Sequence, residues 1–160
     1  MTRGSRFESG PAGLAGLPPA VIVHGADGLR VVLALGRPVV LLSAPGAGVY
    51  GGCGWWLALI ALGRREFPKA AAVDILDCAD APGAALATLR LGQSLLVLSP
   101  DAPGFAAVAA AAREVGALVL PAAPPALDLA VPGAAPRLAA WLERAPGTSA
   151  PGRDLPVRLG

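Results

Sequence analysis

The chain is poor in the residues that most often carry chemistry. It has one histidine, His24, one lysine, Lys69, and two cysteines, Cys53 and Cys78. Two thiols without C-x-x-C spacing make neither a disulfide framework nor a zinc ligand set, and one histidine cannot complete one. No metal site is expected. Charged residues make up 15% of the chain, well below the usual share of a soluble domain. The basic residues are scattered, with Arg64-Arg65 their one adjacent pair. A nucleic-acid surface needs a basic stripe, often with stacking aromatics, so no nucleic-acid partner is expected. Met1 to Glu8 carries charge with no apolar run behind it, which argues against a signal peptide and makes the cytoplasm the default setting.

Apolar residues are plentiful, at 54% of the 160 positions. That length allows one domain with a real core. Many of the apolar side chains are alanine, and the surplus over a thin charged surface points to self-association. A homo-oligomer, most simply a dimer, is expected through the apolar helix 54–63 (Trp55, Trp56, Leu57, Leu59, Ile60, Leu62). Pro38 to Gly63 is free of charge and long enough to cross a bilayer. Pro45 and the glycines at 46, 48, 51, 52 and 54 would break such a helix where no water could satisfy its backbone, so no membrane span is expected.

Along the chain, residues 1–18 read as a mobile N-terminal arm, 19–145 as a single domain and 146–160 as a loose C-terminal tail. Within the domain, strands are expected over 20–24, 39–42, 71–76, 94–98 and 117–120. Helices are expected over 26–35, 54–63, 81–91, 102–115 and 134–144, with Gly36, Gly63, Gly92 and Gly116 as stops. A short piece with alternating Leu127, Leu129 and Val131 follows the fifth strand. Asp80 and Asp101, each before Ala-Pro-Gly, read as helix N-caps. Strands and helices in alternation give an α/β fold with a parallel sheet, and continuously apolar strands give one covered on both faces. The expected architecture is an open, mostly parallel five-stranded sheet with helices on both faces, a three-layer Rossmann-like or flavodoxin-like sandwich.

Open parallel sheets bind ligands at the carboxyl ends of their strands. That edge collects His24, the loop 43–54, Asp77 with Cys78 and Asp80, and Ser99 with Asp101. Gly46-Ala47-Gly48-Val49-Tyr50-Gly51 has the spacing of the G-x-G-x-x-G dinucleotide fingerprint, after a strand and before a helix. The following helix starts late for that motif, and the acidic residue at the next strand end, Asp77, lies too far along. The expected ligand-binding residues are Ser43, Gly46, Gly48, Tyr50, Gly51, Gly52, Asp77, Asp80 and Ser99. Cys53, near a helix N-terminus, together with His24 and Asp77 could form a hydrolytic triad, although the G-x-C-x-G elbow is missing.

Segment 92–121, with Ser99-Pro100 after one strand and Pro121 after the next, resembles the βα units of phosphate-binding aldolase barrels over a fifth of the chain. The Schiff-base lysine that the resemblance implies has no counterpart, since Lys69 precedes a strand. The functional expectation is a binding module for a small anionic or nucleotide-like ligand, its cofactor unknown. The alternatives are a small hydrolase using Cys53, His24 and Asp77, or a self-assembling protein without a ligand.

Overall fold

A computed structural model of the chain describes residues 16–144. The expected arm lies almost wholly, and the expected tail wholly, outside the described residues. The elements run β1 (Ala20–Val23), α1 (Ala26–Leu33), β2 (Val39–Ser43), α2 (Ala47–Tyr50), α3 (Gly52–Glu66), β3 (Ala72–Asp77), α4 (Pro82–Arg90), β4 (Leu95–Val97), α5 (Phe105–Glu114), β5 (Leu118–Leu120), β6 (Ala126–Asp128) and α6 (Leu138–Leu142). The fold is α/β with a parallel sheet. It has six strands where five are expected, because the alternating piece after β5 pairs with β1 as β6.

Of the expected glycine stops Gly63 fails, because α3 runs on through it, buried, to Glu66, and the Phe67 N–H closes the helix on Gly63 O. Gly92 and Gly116 take the left-handed conformation, and behind them Gln93 and Ala117 donate their N–H groups back to Thr88 and Ala112, closing α4 and α5. The helix starts differ. Neither Asp80 nor Asp101 caps: α4 follows Ala81 and α5 follows Gly104, with no side-chain cap at either. Gly104, at φ 76°, holds the 101–104 turn outside the helix, so α5 begins at Phe105 and not at Ala102. The last helix is split into a 3₁₀ turn at Ala135–Arg137 and α6.

The sheet order is β5-β4-β3-β2-β1-β6. From β1 to β5 each strand is laid beside the last in the same direction, and right-handed crossovers then place the intervening helices on one face. The packing agrees. Every buried apolar residue of the helices belongs to one cluster, with Val21, Val39, Leu41, Leu76, Leu96 and Val119 from the strands. The alternate strand residues, among them Val40, Leu42, Ile75, Val97 and Leu120, form a second cluster joined by Leu17 and by no helical residue. The expected helical layer on each face is thus gathered onto one, because the winding never reverses among the strands that helices connect.

The other face is nonetheless closed, with Val40 and Ile75 fully buried. Chain length explains how. Leu120 and Ala126 stand on opposite edges of six strands, five spacings of about 4.8 Å or about 24 Å apart in a flat sheet. The six residue steps between them reach at most about 22 Å when fully extended. The sheet must therefore bend, drawing β5 and β6 towards each other, with the helices outside and the second cluster in the concavity.

One part-buried acid ties the helical layer to the sheet. Asp74, in β3, accepts from Trp56 Nε1 (3.2 Å), Arg64 Nη2 (3.0 Å) and Gln93 Nε2 (2.8 Å). Trp56 is fully buried, and its indole N–H finds its partner there. Among the described residues no helix is long and apolar enough to cross a membrane.

Candidate functional site

The carboxyl edge is built from residues that continue the strands. Asp128 pairs in register with Ile22 on the concave side, and His24 follows β1 by one residue. His24 Nε2 lies 2.7 Å from Asp128 Oδ1. A carboxylate only accepts, so Nε2 carries the proton and Nδ1 is the second ring nitrogen. Asp128 Oδ1 also accepts the N–H of Ala130 at 2.9 Å, so the carboxylate is fixed from two sides.

The glycine loop is more ordered than its composition suggests. Gly46, at φ 73°, starts the single turn α2, and Gly51 joins it directly to α3. Within the turn Ala47 N–H donates to Ala44 O, Val49 and Tyr50 N–H donate to Gly46 O, and Gly51 N–H donates to Ala47 O. The Gly46 N–H donates to Asp77 Oδ1 at 3.0 Å. That same oxygen takes the Ala79 N–H at 2.8 Å, holding Ala79 at φ 50°, a conformation costly for a residue other than glycine. Ser43 completes the join, its Oγ accepting the Asp77 N–H and donating to Ala44 O. Gly48 is a packing residue. A Cβ there would lie 2.8 Å from Cys78 Sγ and 3.0 Å from Asp77 O, so its small size lets α2 sit on the end of β3.

Outside this turn the surface opens into a shallow pocket of about 260 Å³ lined by His24, Ala44, Tyr50, Gly51 and Trp55. Tyr50 is 72% and Trp55 40% exposed. The Trp55 ring lies along Gly51, where a Cβ would approach its Cε3 to 3.2 Å.

The structure joins some of the expected residues and separates others. Ser43, Gly46 and Asp77 meet, and Tyr50 and Gly51 share the pocket with His24. Gly52 begins α3, and Ser99, half-buried beyond β4, accepts the Asp101 N–H. Asp80 is exposed one residue beyond Ala79. Cys53, His24 and Asp77 are not brought together. Cys53 is buried in the cluster under the helices with its Sγ 4.0 Å from Thr88 O, whereas His24 pairs with Asp128 on the concave side. Burial pushes the thiols of Cys53 and Cys78 up, the opposite of what a nucleophile needs. Among the described residues no group of three or more His, Cys, Asp or Glu converges as a metal site would.

Asp128 is the residue of the candidate site that the sequence reading does not single out. The alternation of Leu127, Leu129 and Val131 marks an extended piece, but no local signal attaches it to β1. Compared with known proteins, the chain matches no family model and no curated protein.

Proposed function

We propose that the protein is a binding module for a small, planar, nucleotide-like ligand held at the carboxyl edge between His24 and the 43–54 loop. The observation that carries this reading is the pocket itself, where two exposed aromatic rings adjoin an imidazole fixed by Asp128. Planar rings gain from stacking on Tyr and Trp, and an oriented imidazole supplies a directional polar contact. The anionic part of the sequence expectation has less support, since the Asp77 carboxylate already accepts the Gly46 N–H that a phosphate would use. The hydrolase alternative likewise has less support, with Cys53 and His24 on opposite faces of the sheet. Two free thiols suit the cytoplasm, which belongs to the same proposal.

Thermal-shift screening against nucleosides and nucleoside monophosphates tests the reading. We expect a stabilising ligand whose effect is lost in Tyr50→Ala and Trp55→Ala. A stabilising ligand unaffected by either variant would place binding elsewhere.

A second reading rests on α3. Trp55, Ala58 and Ala61 form an exposed apolar stripe on it, and Val49 is 54% exposed nearby. Self-association through this helix would cover them, and light scattering at micromolar concentration decides it.

A further inference from the structure

Five aspartates gather at one sheet edge, whereas Glu66, Glu114 and Glu143 sit at helix C-terminal ends with most of the basic residues. Arg37, Arg64, Arg65, Lys69, Arg90 and Arg113 lie in the last turns of helices or in loops leading into strands, at the amino edge. Asp27, Asp77, Asp80, Asp101 and Asp128 lie at the carboxyl edge, where strands end and helices begin. Asp80 and Asp101 are exposed, cap no helix, and have no side-chain partner among the described residues. Among the described residues no cation pairs with either carboxylate.

The pocket sits within this acidic edge. Asp128 is bonded to His24 in its wall, and Asp77 is bonded to Gly46, whose Cβ position lies 3.8 Å from the Tyr50 ring. No Arg or Lys lines it. The opposing positive term is the N-terminal end of α3, worth about half a unit charge. Two full carboxylate charges beside the pocket outweigh it. The faces of Tyr50 and Trp55 carry the negative lobes of their ring quadrupoles, which attract cations as well as other rings.

We propose that the pocket selects a positively charged planar ring, an N-alkylated heteroaromatic cation; this inference rests on the ligand reading above and adds the sign of the charge. One ring in three charge states tests it: 1-methylnicotinamide (cation), nicotinamide (neutral) and nicotinate (anion). His24, as the chain's one histidine, is the NMR reporter for each titration. We expect the cation to bind about tenfold tighter than the anion at low salt, with the neutral ring between them. The gap should narrow as salt screens the edge, and in Asp80→Asn/Asp101→Asn, while nicotinamide binding stays unchanged. Equal binding of all three rings, or tighter binding of nicotinate, overturns charge selection and leaves the ligand reading standing. If none of the three moves the His24 signals but a nucleoside does, charge selection falls alone; if no nucleoside moves them either, both fall.

Discussion

Asp77 Oδ1 and the Gly46 N–H, 3.0 Å apart, join the end of β3 to the start of α2. The carboxylate thereby occupies the turn where a glycine-rich loop would otherwise cradle a phosphate. With Ala79 N–H on the same oxygen, it orders the loop from within and fixes the wall of the neighbouring pocket. Asp77→Ala should leave two N–H groups without their acceptor and Ala79 unsupported at φ 50°, costing about 2–3 kcal/mol. Urea unfolding measures the loss, and wild-type stability would contradict the role.

Gly48 and Gly54 should respond oppositely to alanine. Gly48→Ala drives a methyl group to 2.8 Å from Cys78 Sγ and 3.0 Å from a backbone oxygen, and overpacking of this kind costs about 1–3 kcal/mol. Gly54 lies exposed in α3 with nothing within 4 Å of its Cβ position. Gly54→Ala should stabilise by about 0.5–1 kcal/mol through helix propensity. The pair of melting curves distinguishes packing glycines from ligand-loop glycines.

Asp74→Ala should destabilise by about 1–3 kcal/mol, because the buried Trp56 Nε1 loses its acceptor while Gln93 Nε2 keeps the Leu95 carbonyl. Arg64→Ala, whose guanidinium is 72% exposed, should cost under about 1 kcal/mol. Equal losses for the two variants would show that the ion pair, and not the buried hydrogen bonds, carries the join.

Much of the sheet was legible locally, and its winding was not. The unbroken apolar run Val39 to Leu42 announces a covered strand, and Gly92 and Gly116 announce helix ends, because each signal acts within a few residues. Asp80 and Asp101 resemble caps by composition, yet the cap position falls to Ala81 and Gly104. The Asp128–His24 contact spans 104 residues and depends on β6 pairing beside β1, which no local pattern encodes. Trp55 and Trp56 are neighbours with opposite fates. One faces the pocket and the other the core, a difference set by helix phase against the sheet.

The buried thiols make stability depend on pH. Burial raises the pKa of Cys53 and Cys78 in the folded state, so the unfolded chain loses these protons first as pH rises. Their contribution is intact below the ordinary cysteine range and falls above about pH 8.5. Stability measured from pH 7.5 to 10 should decline more steeply in the wild type than in Cys53→Ala/Cys78→Ala. Iodoacetamide should label both thiols slowly when folded and rapidly in urea.

Binding at the pocket beside His24 is measured most directly by a titration with 1-methylnicotinamide followed at the His24 imidazole and the indole N–H groups. Saturable shifts at His24 and Trp55 together, with Trp141 unmoved, are the predicted result. Shifts at Trp141 alone, or none at millimolar ligand, would contradict it.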